Sequence, residues 1–197
     1  MISAIVLAKD EGQQIDACLS SLSFCEELIV VDNGSRDNTV ERARDRGARI
    51  LDFSVQQGFS TMRNRAMKQA RGDWVLFIDA DERVSEALQQ SIIRAVENDS
   101  TDSYALKRRD HWWGKTLTHG EVATAAQTGL VRLMKRNSGQ WEGSVHERFV
   151  PTGAVGILEG YIEHYPHQTV LEFIVEINQY SSLRAQELHN QDRKSVV

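Results

Sequence analysis

The sequence predicts an α/β fold built on a doubly wound, mostly parallel sheet. Two observations carry this prediction. Short apolar runs alternate with amphipathic helical segments between Ile2 and Ile78, and each apolar run stops at a cluster of polar residues. Strand–helix–strand units of this kind form parallel pairs, and such sheets bind ligands beyond the carboxyl ends of their strands. The residues that follow each strand are therefore the positions to search for a site.

The first half of the chain supplies four predicted strands and three predicted helices. The strands are short and apolar, as in a buried parallel sheet, and cover residues 2–8, 27–31, 48–53 and 74–78. The helices carry apolar residues at helical spacing or end at a glycine, and cover residues 15–22, 39–46 and 61–71.

The second half is predicted to be less regular. A helix is expected at residues 85–97, strands at 104–108 and 130–135, an aromatic loop at 110–115 and a polar, aromatic segment at 141–149. Residues 168–189 predict a long amphipathic helix, whose apolar set is Leu171, Ile174, Val175, Ile177, Tyr180, Leu183 and Leu188. We expect this helix to pack on the domain or on a second subunit in a homodimer, because its polar face is not basic enough to favour a membrane.

Composition bounds the classes of protein that fit. A chain of 197 residues with 41% hydrophobic content can bury the core of a single domain. A formal charge of −5 argues against nucleic acid as a partner. Cys18 and Cys25 occur without a secretory signal, which favours reduced thiols and a cytoplasmic location, with Cys18 in the core. No apolar stretch is long enough to cross a bilayer, so the protein is expected to be soluble or at most peripheral to a membrane.

The most informative feature is the acidic end of the fourth predicted strand. Asp79 and Asp81 have the same parity, so the strand end delivers both carboxylates to one place. Two carboxylates held together repel each other unless a cation neutralises them, and oxygen ligands suit a hard metal ion. The alternative is a solvated loop, or a cap for the helix that begins near Ser85.

Other strand ends add to this feature. Asp10 and Glu11 follow the first strand, and Asp32 ends the second. Arg63 and Arg65 open the helix before the fourth strand, where guanidinium groups could meet phosphate oxygens, although solvated arginines paired with local acids are the alternative. No glycine-rich phosphate loop follows the first strand, so dinucleotide-binding and P-loop proteins are poor matches.

Four motifs occur in order along residues 2–83. They are Ile-Val-Leu-Ala-Lys-Asp-Glu at 5–11, Val-Val-Asp-Asn-Gly-Ser-Arg-Asp-Asn-Thr at 30–39, Arg-Asn-Arg-Ala at 63–66 and Asp-Ala-Asp-Glu at 79–82. Together they resemble the inverting family-two glycosyltransferases of the GT-A fold. Later segments, Trp-x-Gly-x-Val-His-Glu at 141–147 and His-Tyr-Pro at 164–166, resemble the branch that adds sugars to lipopolysaccharide cores, described as β-1,4-glucosyltransferase-like.

The resemblance implies a nucleotide-sugar site. Asp32 would accept a hydrogen bond from the uracil imide, Glu11 and the backbone at Ala8 would touch the nucleoside, and Arg63 would lie near the base or the diphosphate. The first motif departs from the family, which commonly has Thr-x-Asn-Glu where this chain has Ala-Lys-Asp-Glu at 8–11. That departure leaves the nucleoside contacts open.

The resemblance also implies a metal site. Asp81, helped by Asp79 directly or through water, would hold Mg²⁺ or Mn²⁺ on the diphosphate, and Asp79 would contact the nucleotide-sugar. His164 would be a third metal ligand or a diphosphate contact. A cation bridging the phosphates would stabilise the charge that develops on the leaving group.

Inversion requires a base on the other side of the sugar, which takes a proton from the acceptor hydroxyl. We expect Glu147 to be this base, since it lies in an aromatic segment suited to a sugar and resembles an acid found near this point in relatives. Asp110 is the reserve candidate, and a structural salt bridge is the alternative for Glu147. Trp113 or Trp141 is expected to stack on a sugar. The basic run at residues 107–109 could meet an anionic glycolipid or form a solvated strand end.

The sequence therefore predicts a metal-dependent, inverting glycosyltransferase. It would move a hexose, glucose or N-acetylglucosamine, from a UDP-sugar to a hydroxyl of a cell-envelope glycan or glycolipid such as a lipopolysaccharide core, at the inner face of the cell membrane. Residues 1–100 would be the nucleotide-sugar-binding half and 101–197 the acceptor-binding half of one domain. Two alternatives stay open: a sugar nucleotidyltransferase, which would release pyrophosphate rather than UDP, and a non-catalytic sugar-nucleotide or glycan-binding module of the same fold.

Overall fold

The computed structural model describes residues 1–53, 58–117, 126–143 and 147–166, followed by residues 169–171, 173, 174, 177, 178, 181, 182 and 185. The chain divides into two units, Met1–Pro166 and His167–Val197. The sheet and the predicted site residues belong to the first unit.

The predicted parallel sheet is confirmed. Its strands are β1 (Ile2–Ala8), β2 (Glu27–Asp32), β3 (Arg49–Asp52) and β4 (Trp74–Asp79), and its helices are α1 (Ile15–Ser21), α2 (Thr39–Asp45) and α3 (Phe59–Gln69). The strands lie in the order β3-β2-β1-β4 and all three pairs are parallel. Asp32 and Asp79, the last residues of β2 and β4, therefore lie at one edge of the sheet.

Helices cover both faces of these strands because successive strand residues point to opposite sides. Val6 and Leu76 pack in one apolar cluster with Cys18 of α1. Ile5 and Phe77 pack in a second cluster that includes residues of α3. Each fully buried aliphatic or aromatic side chain contributes roughly 1.5–3 kcal/mol to folding. Cys18 is a core residue, as predicted, and burial raises the pKa of its thiol well above the ordinary value.

The second half of the chain extends the same sheet. It adds β5 (Glu82–Val84), α4 (Glu86–Asn98), β6 (Ser103–Trp112), β7 (Lys115–Thr116), β8 (Leu130–Lys135) and β11 (Val155–His164), while β9 (Gly139–Glu142) and β10 (Arg148–Pro151) form a separate antiparallel pair. From β4 the order continues β8-β6-β11-β5. Strand β8 is antiparallel to both neighbours, β11 is parallel to β6, and β5 is antiparallel to β11.

This arrangement corrects the prediction of an irregular second half. Residues 110–112 of the predicted aromatic loop continue β6, and the turn that follows returns as β7. In the segment 141–149, residues 141 and 142 belong to β9 and residues 148 and 149 to β10, with residues 144–146 outside the described part of the chain. Strands β5 and β11 were not predicted, because their sequences pair with segments that are distant along the chain.

Strands β6 and β11 extend beyond the carboxyl edge of the parallel strands. Leu76 of β4 is opposite Leu133 of β8, which is opposite Tyr104 of β6. Strand β4 ends at Asp79, whereas β6 continues to Trp112, about five residues further, or roughly 16 Å at the usual rise of a strand. The two long strands therefore form a wall beside the edge where ligands of such sheets bind.

Each side of β6 carries an irregularity. Tyr104 pairs with Leu133 and Ala105 with Val131, so that Arg132 is the extra residue of a bulge in β8. On the other side, the pairing with β11 shifts between Ile157 and Tyr161, and Gly160 within the shift has φ +94°.

The second unit is helical at its described positions from residue 170 to residue 185, in agreement with the predicted long helix. Val170, Leu171, Ile174 and Ile177 are exposed, whereas Phe173 is half-buried. Val175, Tyr180, Leu183 and Leu188 of the predicted apolar set lie outside the described residues. No helix among the described residues combines the length and apolarity that spanning a membrane requires.

We predict that Gly160→Ala destabilises the protein. A Cβ atom at this position would lie 2.4 Å from the backbone nitrogen of Leu88 in α4, and an alanine is strained at this φ. Strain of this kind costs on the order of 1–3 kcal/mol before the clash is counted. Thermal unfolding should show a clear fall in Tm, whereas Gly153→Ala, whose Cβ meets nothing within 4 Å, should leave Tm unchanged. Equal Tm values for the two variants would contradict this role of Gly160.

Candidate active site

The centre of the site is the carboxylate of Asp79 at the end of β4. Arg63 of α3 donates from Nη2 to Oδ1 at 2.9 Å, and Arg132 of β8 donates from Nη2 to Oδ2 at 2.8 Å. Both arginine side chains are more than nine-tenths buried. Burial opposes ionisation of Asp79, but the two guanidinium groups hold its pKa well below the usual range. Asp79 is therefore a fixed anion between two buried cations.

Arg63 links Asp79 to Glu147. Its Nε donates to Oε1 of Glu147 at 3.1 Å. Its guanidinium lies over the ring of Trp141, 4.6 Å from the ring centroid, and Phe77 meets the same tryptophan edge-on. Trp141 is only 5% exposed, so it supports Arg63 from the core instead of presenting a face to a sugar.

A second part of the site lies on the wall formed by β6 and β11. His164 is opposite Asp110 of β6 and opposite Glu82 of β5. Its Nδ1 is hydrogen-bonded to Oδ1 of Asp110, and its Nε2 lies 3.1 Å from Oδ2 of Asp81. Burial favours the neutral imidazole, but the hydrogen bonds to Asp110 and Asp81 prevail and raise the pKa of His164 to about 10.

Glu82 and Arg108 join the two parts. Glu82 is fully buried and accepts a hydrogen bond from the backbone nitrogen of Asp79 at 2.9 Å. Its Oε1 lies 3.7 Å from Arg108 and 3.8 Å from Arg132, and burial raises the pKa of its carboxyl group. Arg108 also contacts Asp110 at 3.2 Å. Burial opposes ionisation of Asp110, but His164 and Arg108 lower its pKa.

These contacts form one continuous line of ionisable groups in which acids and bases alternate. We call it the charge row; its members, in order of contact, are Asp81, His164, Asp110, Arg108, Glu82, Arg132, Asp79, Arg63 and Glu147. Alternation places an opposite charge on each side of every internal member, which offsets the cost of burying so many charged groups together. The row connects the Asp81–His164 pair at one end with Glu147 at the other.

The loops that follow β1 and β2 form the neighbouring part of the edge. Ala8 is opposite Asp32 in the sheet. The Asp32 carboxylate accepts hydrogen bonds from the backbone nitrogens of Gly34 and Ser35. The backbone nitrogen of Glu11 donates to Thr39 Oγ1 at 2.8 Å, which ties the first loop to the start of α2. The structure thus brings Ala8 and Asp32 together, with Glu11 in the loop that follows β1, and the contacts of these residues with a nucleoside stay a prediction.

The Asp81–His164 pair fits a divalent metal ion. Two adjacent ligands of an octahedral ion with bonds of about 2.1 Å lie roughly 3 Å apart, close to the 3.1 Å between Oδ2 of Asp81 and Nε2 of His164. Binding of the ion would displace the Nε2 proton that makes this hydrogen bond in the metal-free protein. Asp110 on the other ring nitrogen is the usual carboxylate support of a metal-binding histidine. No group of three or more acidic, histidine or cysteine side chains among the described residues converges for a metal, since Asp79 is turned toward the arginines. Its role as a metal ligand stays a prediction.

Several predicted residues have structural positions that the sequence did not specify. Asp110 is buried behind His164. Trp113 is 53% exposed at the turn after β6. In the basic run, Arg108 belongs to the charge row, whereas Arg109 pairs with Glu163 and covers the ring of Tyr161.

Arg132 was not recognised as a site residue, and Arg108 and Glu82 were noted only as members of the basic run at 107–109 and of the Asp-Ala-Asp-Glu motif at 79–82. Arg132 had a detectable signal, since it is a lone charge inside the apolar run of 130–134. Such a residue is rarely buried without a partner. Arg108 and Glu82 had no comparable signal, because each lies among other charged residues.

Comparison with known proteins identifies the family. Residues 3–149 match the model of the family described as glycosyl transferase family 2. The chain is 30% identical over 192 residues to the lipopolysaccharide core biosynthesis glycosyltransferase LpsC of Rhizobium meliloti, covering 93% of this chain and 70% of LpsC. It is 28% identical over 207 residues to an uncharacterised glycosyltransferase of Rickettsia prowazekii, covering 98% and 70%. The chain therefore belongs to glycosyl transferase family 2.

Solved structures agree on the fold. Residues 1–349 of S. aureus TarS, in complex with UDP-GlcNAc, are similar with a TM-score of 0.62 at 17% identity, covering 85% of this chain and 59% of that fragment. Glucosyl-3-phosphoglycerate synthase of Mycobacterium tuberculosis, in complex with Mn²⁺, UDP and glucosyl-3-phosphoglycerate, has a TM-score of 0.61 at 18% identity, covering 88% and 74%. The fold is thus the GT-A type predicted from the sequence.

We predict that His164 makes the metal-free protein less stable at alkaline pH. Because the folded-state pKa lies near 10 and the ordinary value is 6.5, the stabilising charge is fully present below pH 6.5 and is lost as the pH rises through 10. The free energy of unfolding should fall by up to a few kcal/mol across this range. Urea titrations in EDTA measure it, with His164→Gln as the comparison. The same slope in both proteins would contradict a raised pKa for His164.

Proposed function

We propose that this chain is a metal-dependent, inverting hexosyltransferase that uses a UDP-sugar and glycosylates a hydroxyl of a cell-envelope glycan. The observation that carries the proposal is the Asp81–His164 pair, backed by Asp110 and placed beside two buried arginines at the carboxyl edge of the sheet. Membership of glycosyl transferase family 2 favours sugar transfer over nucleotide transfer or binding without catalysis.

Asp81 and His164 would hold Mg²⁺ or Mn²⁺. When bound, the cation would stabilise negative charge on the departing diphosphate. Two protein ligands suffice, because such ions commonly take further ligands from substrate phosphates and water. Asp110 would keep the ring of His164 in the orientation that turns Nε2 toward Asp81.

The donor nucleotide would lie along the loops that follow β1 and β2. Asp32 has carboxylate oxygens that can accept a hydrogen bond from uracil, and its two backbone partners keep the carboxylate in place. Ala8 and Glu11 would contact the nucleoside, and Arg63 would lie near the diphosphate. The UDP complexes of TarS and glucosyl-3-phosphoglycerate synthase support a uridine nucleotide.

Glu147 is the better of the two candidate bases. Asp110 is committed to His164 and Arg108 and is buried, whereas Glu147 lies at the end of the charge row. Its Oε1 accepts from Arg63, which leaves Oε2 to take the proton of the acceptor hydroxyl. As that proton leaves, the acceptor oxygen bonds to the anomeric carbon and the bond from this carbon to the diphosphate breaks.

The acceptor is proposed to be a lipopolysaccharide core glycan, and the donor sugar to be glucose or N-acetylglucosamine. The similarity to LpsC across 93% of the chain supports this acceptor class. Exposed Trp113 lies at the turn after β6, beyond the carboxyl edge, where its ring could stack on an acceptor sugar.

Glu147→Gln tests the base. We expect kcat to fall on the order of 10²- to 10⁴-fold, because the amide cannot take the proton, while binding of UDP with Mn²⁺ stays close to wild type. Coupled assays of UDP release and calorimetry measure the two quantities. Glu142→Gln, an exposed acid on the same hairpin, is the control. Equal kcat values for wild type and Glu147→Gln would remove Glu147 from the reaction.

Asp81→Asn tests the metal pair. In wild type, Mn²⁺ should increase the affinity for UDP, and the variant should lose on the order of 10- to 100-fold of that increase, since one ligand is weakened. Titration calorimetry with and without Mn²⁺ gives both values. Asp73→Asn, an exposed acid at the opposite end of β4, should behave as wild type. UDP affinity that is indifferent to Mn²⁺ in wild type would contradict the metal dependence.

A further inference from the structure

Arg132 reaches the site through a bulge in β8. Tyr104 and Ala105 are consecutive on β6, yet their partners Leu133 and Val131 are separated by Arg132. A bulge interrupts the ladder locally and turns one side chain in a new direction, and bulges occur often beside active sites. Here the turned side chain is a buried arginine within the apolar run 130–134 of β8.

Arg132 completes a clamp on Asp79. Each oxygen of the carboxylate has its own arginine, Arg132 at 2.8 Å and Arg63 at 2.9 Å. Asp79 cannot turn without breaking one of these contacts. Since Arg63 uses Nε for Glu147, the orientation of Asp79 also fixes the guanidinium that aligns Glu147.

We propose that Arg132 is a positioning residue of the transfer reaction, which acts through Asp79 and Arg63 to hold Glu147 in its reactive position. This role rests on the proposed function, in which Glu147 takes the acceptor proton. Arg132 makes its ion pairs with Asp79 and Glu82, whereas Glu147 acts on it electrostatically without an ion-pair contact. The contacts through which Arg132 positions the proposed base therefore run by way of Asp79.

A purely structural ion network explains the cluster less well. Buried ion pairs stabilise a fold only when their remaining hydrogen-bonding groups are satisfied. Nη1 of Arg132, Nη1 of Arg63 and Oε1 of Glu82 are buried without a hydrogen-bond partner among the described residues. Protein side chains alone therefore do not satisfy these groups beside Asp79, while the contacts that are made fix the orientation of its carboxylate.

Removal of Arg132 leaves two carboxylates without the cation between them. The carboxylate of Glu82 accepts a hydrogen bond from the backbone nitrogen of Asp79, so the two acidic residues are neighbours. Repulsion would turn Asp79 away from Glu82, and Arg63 would lose its fixed anchor. A displacement of about 1 Å at a reacting group costs on the order of 10²-fold in rate.

The first experiment tests whether Arg132 holds Arg63 in position, and it does not depend on enzymatic activity. In ¹⁵N spectra of the metal-free protein, the Nε–H of Arg63, assigned with Arg63→Lys, should exchange with solvent about tenfold or more faster in Arg132→Gln than in wild type. Arg49→Gln removes a half-buried arginine of β3 that pairs with Glu27 of β2, and it should leave this exchange unchanged. Unchanged exchange in Arg132→Gln would overturn the proposal, whatever reaction the protein catalyses.

The second experiment reads catalysis. Arg132→Gln should lower kcat on the order of 10- to 100-fold with little change in KM for the UDP-sugar, Arg132→Lys should recover part of the loss, and Arg49→Gln should match wild type. In an Asp79→Asn background, Arg132→Gln should lower kcat little further, because Arg132 acts through Asp79. Additive losses of kcat, or an unchanged kcat, would overturn the positioning role of Arg132.

If Arg132→Gln does not fold, Arg132→Lys replaces it in both the exchange measurement and the kinetic measurement. Failure of the wild-type protein to release UDP would instead contradict the proposed function. The exchange measurement would still test whether Arg132 holds Arg63 in position.

Discussion

Carboxylates can gather at one edge of this sheet only because buried cations separate them. Asp79 is held between Arg63 and Arg132, and Asp110 lies between His164 and Arg108. Without these cations the acids would be driven toward protonation by burial and by one another. The alternation also gives each charged group a fixed place, so that the proposed metal-binding pair and the proposed base belong to one preorganised network.

The fold supplies this network from segments that are distant along the chain. The parallel strands bring Asp32 and Asp79 to the edge, as strand–helix repeats do in any sheet of this type. The long strands β6 and β11 then extend past that edge and place Asp110 and His164 beside Asp81. The site is therefore built where the parallel strands of the first half meet the wall added by the second half.

The sequence predicted what depends on local pattern. Buried parallel strands and their helices have a clear apolar rhythm, so β1 to β4 and the acids at their ends were identified correctly. Strand β11 and the bulge at Arg132 depend on pairing between remote segments, and no local pattern specifies such pairing. For the same reason the sequence could nominate Asp79 and Glu147 but could not show that Arg63 joins them. It also could not distinguish Trp141, which the core covers, from exposed Trp113.

A crystal structure of the protein with Mn²⁺ and UDP tests the central claim most directly. The account predicts an anomalous manganese signal about 2.0–2.3 Å from Oδ2 of Asp81 and Nε2 of His164, in contact with the diphosphate, while Asp79 keeps both arginines. Manganese bound elsewhere, or an Asp79 released from Arg63 and Arg132 in the complex, would contradict it.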